Sequence, residues 1–434
     1  MVVKEMTADS MPDWLKEGID HLWLPYTQMK DAPLPSPVIK TEGQTITLAD
    51  GRELIDGCSS WWTTCHGYNH PHILSAMKDQ MEQVSHVMFG GLANEPAYRL
   101  AKRLADIAPG NLTRVFLAES GSVSVEVAMK MAMQFWINQG HHTHKKFACF
   151  VDAYHGDTLG TMALCDPDDG MHKMFGGALT EQYVLKLPKD DESRQAFESF
   201  IRDHANELAA VVVEPLVQGA GGLKFHDEAC LRFIRKVTRK HSVLLIFDEI
   251  MTGFGRTGTM FAADAADVVP DIMTVSKAMT GGVIPLSAAI STDEVAAPFL
   301  SSDADHALMH GPTFMGHALG CAAANASLDL FEQEPRLEQV AEIEKQFQNK
   351  LMAAQNIKGV ADVRVRGAIG VIQLGQSPDL NWLKTRFVEK GVFIRPFGDV
   401  IYAMPPFTTT EAELNTIIDT MIDVTREWSR RTFG

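Results

Sequence analysis

An α/β fold, with a central sheet, crossover helices and a smaller second unit, is what this 434-residue chain predicts. Three observations carry that expectation. Between about residues 75 and 330, short apolar runs alternate with stretches of helical spacing, the pattern of strands joined by crossover helices. Hydrophobic residues make up 45% of the chain and charged residues 22%, which supports a packed core and argues against disorder. A chain of this length outgrows one core, so a large unit needs a smaller companion.

Read in order, the first sixty residues mix Pro-rich turns at 31–37 with a hairpin-like stretch at 46–54, whose turn signal is Asp50-Gly51. They read as an annex. Strand-like runs then fall at 114–118, 147–151, 209–213, 243–247, 271–275 and 286–291, and a long helical stretch at 123–136 follows the first. Helical spacing at 336–354 hands the chain to a carboxy-terminal α/β piece, with strand candidates at 362–365 and 368–374 and a helical tail at 410–432. Residues 1–74 and 331–434 are thus expected to build a small domain from both chain ends, and residues 75–330 the large one.

Bulk chemistry narrows the partners. A formal charge of −16 opposes phosphate backbones and anionic membranes, so neither nucleic acid nor a membrane is an expected partner. Six cysteines, with no CxxC pair, fit reduced thiols rather than a disulfide framework. The first ten residues lack a signal-peptide apolar stretch, and no run of eighteen apolar residues occurs, so a cytoplasmic protein is expected.

Lys277 sits just past the strand-like run 271–275, and Asp248 ends the run 243–247. A lysine amine at one strand end can hold an aldehyde cofactor as a Schiff base, while a carboxylate at a neighbouring strand end keeps a pyridine nitrogen protonated. The pair therefore suggests a pyridoxal phosphate site. The bland alternative makes Asp248-Glu249 a helix-capping acid pair and Lys277 an exposed lysine. Upstream, Ser120-Gly121-Ser122 opens a helix after a strand, which suits either a phosphate cradle or a simple Ser N-cap. Gly253 to Gly258 also matches the GxGxxG fingerprint of nicotinamide-dependent oxidoreductases, although no clear helix opens inside the glycines.

Tyr154, in the loop Tyr154-His155-Gly156-Asp157, offers an aromatic face to a cofactor ring or belongs to an ordinary polar loop. Trp61-Trp62 is either core filling or a pocket wall, and Arg395 either clamps a substrate carboxylate or lies on the surface. The histidine groups at 66, 70, 72 and at 141, 142, 144 lack zinc-site placement, so no metal is assigned.

Together these segments closely resemble the class III, fold-type I aminotransferases over about residues 20 to 407. The broad marks are Ser120-Gly121-Ser122, Tyr154 to Gly156, Asp248-Glu249, Gly253 to Gly258 and Ser276-Lys277. Narrower marks are Trp23 to Tyr26, Ser59 to Trp62, His86 to Gly91, His310 to Gly316 and Ile394 to Gly398. They resemble the subgroup of biotin biosynthesis that passes the amino group of S-adenosylmethionine to 8-amino-7-oxononanoate. Lysine as donor, or another ω-amine aminotransferase, remains an alternative. The resemblance implies a large domain with a mostly parallel sheet and helices on both faces, plus a smaller α/β domain. It implies pyridoxal 5′-phosphate bound covalently by Lys277, paired with Asp248 and held at its phosphate by Gly121 and Ser122. A homodimer with shared sites is implied too, Pro312 and Thr313 reaching the phosphate of the partner subunit. Tyr26, Trp61, Tyr154, Asp157 and Gly311 match substrate-pocket positions, and Arg395 matches the arginine that binds the oxo-acid carboxylate. One departure is Gly316 to Leu319, which reads Gly-His-Ala-Leu where relatives commonly have Gly-Asn-Pro-Leu.

Overall fold

Seven strands whose central members are buried along their whole length form the middle of the molecule, seen in a computed structural model that describes residues 11–30, 32–166 and 172–434. The first ten residues and Asp31, which opens the Pro-rich stretch, lie outside the described residues. Chain order begins with an antiparallel ribbon, β1 (Val38–Glu42), β2 (Thr45–Leu48) and β3 (Glu53–Asp56). The expected hairpin is its second half, closed at Gly51 with φ of 84°.

The large sheet uses β4 (Leu112–Ala118), β5 (Lys146–Phe150), β6 (Tyr183–Leu185), β7 (Leu208–Val213), β10 (Leu244–Asp248), β11 (Ile272–Val275) and β12 (Ser287–Thr292). Between them runs a short ribbon of β8 (Val217–Gln218) and β9 (Lys224–Phe225). Their order is β4-β12-β11-β10-β7-β5-β6. β12 runs antiparallel to both β11 and β4, and the remaining pairings are parallel. A strand covered on both faces reads as continuously apolar, and β7, β10, β11 and β12 are buried at every position.

Period-two alternation assigns the faces. Val212, Ile246 and Ile272 pack with Val125, Ala128, Met129 and Phe135 of the helix Gly121–Asn138. Val211, Val213, Leu245 and Phe247 belong to the opposite cluster, with Leu100 and Leu104 of Glu95–Ile107, Phe197 of Asp191–His204, and Leu231 and Ile234 of Glu228–Lys240. Helices therefore cover both faces.

The chain's last hundred residues form a three-stranded antiparallel sheet of β13 (Val360–Arg366), β14 (Ile369–Leu374) and β16 (Val400–Ala403). Around it lie the helices Arg336–Lys350, Leu380–Glu389 and Glu411–Phe433, the last opened by a Thr410–Glu413 capping box. β15 (Val392–Phe393) pairs in parallel with β3, setting Val392 against Ile55 and Phe393 against Asp56, so residues from both ends of the chain share a sheet. The edge strand β6, the two-residue strands and Leu380–Glu389 carry no pattern that the sequence reading picked up. Among the described residues no helix is long and apolar enough to cross a membrane, and no group of three or more His, Cys, Asp or Glu side chains could hold a metal.

Candidate active site

Parallel pairing of β10 with β11 places Asp248 opposite Thr274, three residues before Lys277. The two residues singled out at strand ends thus meet at one edge of the sheet. Ser276 anchors the turn by donating to the Leu286 carbonyl at 2.8 Å, and Lys277 adopts a left-handed φ of 47° as it opens the short turn Lys277–Thr280. Its amine lies 4.7 Å from the centroid of the Trp62 ring and has no hydrogen-bond or ion-pair partner among the described residues. Burial pushes the amine below the ordinary lysine range, against the charges of Asp248, Glu214 and Asp157.

Asp248 is braced on both oxygens. Oδ2 faces His155 Nδ1 at 2.8 Å, while Oδ1 accepts from the Ile250 amide at 3.1 Å and the Thr274 hydroxyl at 3.4 Å. Burial alone would lower the pKa of His155, but the hydrogen bond and charge of Asp248, helped by Glu214, outweigh it and raise it. Glu214 accepts the amides of Tyr154 and Gly219 at 3.0 and 2.7 Å, and burial pushes its carboxyl up to about 7. The capping alternative proves true of the neighbour alone. Glu249 receives the Ala262 and Ala263 amides at 3.0 and 2.8 Å at the start of the helix Ala262–Ala266, whereas Asp248 is held by His155, Ile250 and Thr274.

A cavity of about 310 Å³ is lined by Lys277, Ser276, Ser120, Gly121 and Gly282. Gly121 and Ser122 are the first residues of Gly121–Asn138, where amides have no intrahelical acceptor. The Ser122 hydroxyl is engaged elsewhere: it accepts from the Asp157 and Thr158 amides at 3.0 and 3.1 Å and meets the Thr158 and Thr161 hydroxyls. Gly156 permits that approach, with φ of 133° and a Cβ position 2.2 Å from Ser122 Oγ. These residues fit a phosphorylated aldehyde: a free desolvated amine, a braced carboxylate one strand away, and unpaired helix amides for a phosphate.

Beside this centre, Asp157 collects three donors. Tyr26 and Tyr154 donate their hydroxyls at 2.5 and 3.0 Å, and His172 Nε2 lies at 3.0 Å. Burial, then the hydrogen bond to Asp157, pushes Tyr26 up to about 12, and Tyr154 is raised for the same leading reason, so both phenols stay protonated. Tyr154 also stacks on His172. A second cavity, of about 1090 Å³, is lined by Tyr26, Ser60 and Arg395 among others. The Arg395 guanidinium lies 4.7 Å over Trp61. The tryptophan pair therefore divides its work: Trp62 is buried against Lys277, and Trp61 backs Arg395.

Gly311, Pro312 and Thr313 line neither the cavity at Lys277 nor the one at Arg395. Past them, His317 caps Ala318–Gln333 by accepting the Gly320 amide at 3.3 Å. Gly253 to Gly258 forms a turn, closed by Gly255 N–H to Met260 O and Gly258 N–H to Gly255 O, and no helix opens within it. Sequence reasoning gave His155 only a place in a tight turn and left Glu214 and His172 without a role. Glu214 carried a usable signal, since it directly follows the wholly apolar strand β7, as Asp248 ends β10.

A family model of class III aminotransferases matches residues 26–425. The adenosylmethionine-8-amino-7-oxononanoate aminotransferase of Mycobacterium leprae is 46% identical over 413 residues, 93% of this chain and 94% of that protein. Among solved structures, an adenosylmethionine-8-amino-7-oxononanoate aminotransferase from Methanocaldococcus jannaschii superposes with a TM-score of 0.91 at 32% identity, covering 96% of this chain and 99% of that one. An amine transaminase from an uncultivated Pseudomonas species, in its PLP-bound form, gives 0.88 at 28% identity over 95% and 99%.

The His155–Asp248 pair has a pH signature. A histidine with a raised folded pKa stabilises the fold fully below its unfolded value, about 6.5, and loses that contribution as pH rises through the folded value. His155→Gln keeps a donor for Asp248 without the charge. Urea midpoints of the cofactor-free chain between pH 6 and 9 are expected to fall more in the wild type than in the variant; parallel trends would remove the charged pair.

Proposed function

We propose that this chain, which belongs to the class III aminotransferase family, transfers the amino group of S-adenosylmethionine to 8-amino-7-oxononanoate, giving 7,8-diaminononanoate. It is a transaminase dependent on pyridoxal 5′-phosphate. The observation that carries the substrate reading is the 46% identity, over 93% of the chain, to a relative named for that pair; it is supported by Tyr26 and Arg395 lining one cavity, with Asp157 accepting the Tyr26 hydroxyl.

When bound, the cofactor supplies an aldehyde to which amines condense and a pyridinium ring that withdraws electrons from the carbon being deprotonated. Lys277 Nζ is the covalent anchor and, once released, the base that moves a proton to and from the substrate carbon bearing nitrogen. Burial serves this second task, because it favours the neutral amine. Asp248 would pair with the ring nitrogen, and His155 holds that carboxylate at 2.8 Å. The Gly121 and Ser122 amides receive the phosphate at the helix start. Tyr154 walls the cofactor side, while Tyr26, Trp61 and Asp157 orient the substrate amine and Arg395 takes the oxo-acid carboxylate by paired N–H donors.

Gly311, Pro312 and Thr313 serve the site of a partner in a homodimer. Exposed Met88, Leu92, Met309 and Phe314, in and near the same stretch, support an apolar contact there. Of the described residues, those up to 74 and those of 331–434 make the small domain and those of 75–330 the large one, and the enzyme works in the cytoplasm.

Incubating the holoenzyme with the oxo-acid and either adenosylmethionine or lysine, then identifying the diamine, tests the reading. Product with adenosylmethionine and parallel double-reciprocal lines are expected; product with lysine alone, or intersecting lines, would overturn the donor or the alternating scheme. Lys277→Ala is expected to lose the visible absorbance of covalently held cofactor and to slow turnover by at least about 10²–10⁴-fold. A variant that keeps both would remove the lysine from its role. Arg395→Ala should weaken the oxo-acid by roughly ten- to hundredfold in kcat/KM, with much less effect on the donor half-reaction followed by stopped-flow absorbance. Equal loss in both halves would displace the arginine.

A further inference from the structure

The larger cavity holds a cation that none of the roles above uses. Lys384 lies on the helix Leu380–Glu389, whose two faces are sharply divided. Leu383 and Phe387 are fully buried in the core, while Asn381, Lys384, Thr385 and Val388, at i, i+3, i+4 and i+7, line the cavity. Arg395 lines the same cavity from the segment after β15. Leu24, Ile46, Leu48, Leu54 and Phe393 make much of the remaining wall apolar.

The charged groups around this space are otherwise spoken for. Arg52 pairs with Asp50 at 2.8 Å, and Glu389 pairs with Arg386 at 2.7 Å. Tyr68 donates to Asp56, and Tyr26 to Asp157. Lys384 and Arg395 have no carboxylate partner among the described residues. Burial, and then the charge of Arg395, hold the Lys384 amine below the ordinary lysine range. Two like charges facing one partly desolvated space are unfavourable until an anion joins them, and an aliphatic wall beside them suits a carboxylate on a hydrocarbon chain.

We propose that Lys384 is a specificity-determining residue that, with Arg395, holds the far carboxylate of the oxo-acid while its alkyl chain runs along the apolar wall of the cavity. This rests on the oxo-acid transamination proposed above. Arg395, stacked on Trp61, gives a fixed planar fork, and Lys384 adds a point charge on a flexible stem that follows the carboxylate. Such a pair selects chain length as well as charge, because the carboxylate must reach both cations while the carbonyl remains at the reacting end.

The test uses the holoenzyme, Lys384→Met, which keeps an apolar stem of similar length, and two nine-carbon probes that cannot react: nonanoate and its neutral amide, nonanamide. Nonanoate is expected to compete with the oxo-acid. In Lys384→Met its inhibition constant and the KM of the oxo-acid should each rise about tenfold, with a far smaller change in kcat, while nonanamide binds as to the wild type. Lys384→Arg should recover most of the nonanoate affinity. Nonanoate binding within twofold of wild type, or an equal loss of nonanamide, would overturn the proposal. If the wild type fails to aminate the oxo-acid, the transamination reading falls, and the nonanoate-to-nonanamide comparison still decides whether Lys384 reads a carboxylate.

Discussion

One hydrogen bond between two side chains closed to water, His155 Nδ1 to Asp248 Oδ2 at 2.8 Å, sets the conditions for the rest of the site. A buried carboxylate survives only if its oxygens are satisfied, and here the donors come from three directions: the loop after β5, the turn after β10, and β11. Each bond fixes one segment against the carboxylate. The loop carrying His155 is held again by the Tyr154 amide on Glu214 and by Ser122 Oγ on the Asp157 and Thr158 amides. Satisfying one charge therefore positions the helix amino terminus, the aromatic wall and the lysine turn together.

A second constraint is conformational. Ser59, Ser60, Trp61 and Trp62 all have positive φ, from 44° to 73°, a left-handed turn of residues with side chains. Such geometry costs roughly 1–2 kcal/mol per residue, so it persists only where other bonds impose it. Asp56 supplies several, accepting the Cys58 and Ser59 amides at 2.7 and 3.0 Å and the Tyr68 hydroxyl at 2.8 Å. Ser59 donates to the Met404 carbonyl at 2.7 Å, which ties the turn to the strand end after β16. The result sets the second indole, Trp62, against the lysine amine and the first, Trp61, beneath Arg395. A right-handed turn would point successive side chains differently and lose that division.

What could be read from the residues alone follows from range. Fully apolar runs announced the central strands, and strand ends announced Asp248 and Lys277, because both signals are local. The Gly121–Asn138 amino terminus was visible for the same reason. The partnership of His155 with Asp248 spans 93 positions, and nothing near Tyr154-His155-Gly156 betrays it. The left-handed turn was hidden more deeply, since Ser-Ser-Trp-Trp carries no glycine to advertise positive φ. Trp61-Trp62 stood open between core and wall; Trp62 joins the core, and Trp61 lies exposed beneath Arg395. Lys384 was masked by an ordinary amphipathic helix, where a lysine usually faces solvent.

Under the proposed function, the two cavities would divide the tasks of reaction and of carboxylate recognition. Near Lys277 the surroundings must favour a neutral amine yet tolerate a cationic ring, so desolvation and carboxylates act on the same volume in opposite senses. Neither can dominate: deeper burial without Asp248 and Glu214 would leave nothing to balance a positive ring, and more carboxylate would hold the amine protonated and unable to act as base. Glu214 joins this balance as a buried carboxyl that burial lifts to about 7. Recognition of a remote carboxylate obeys the reverse logic, since it needs permanent positive charge with no internal partner. In the role proposed above, Arg395 supplies such a charge from the far side of the tryptophan turn, over Trp61, while Lys277 lies over Trp62.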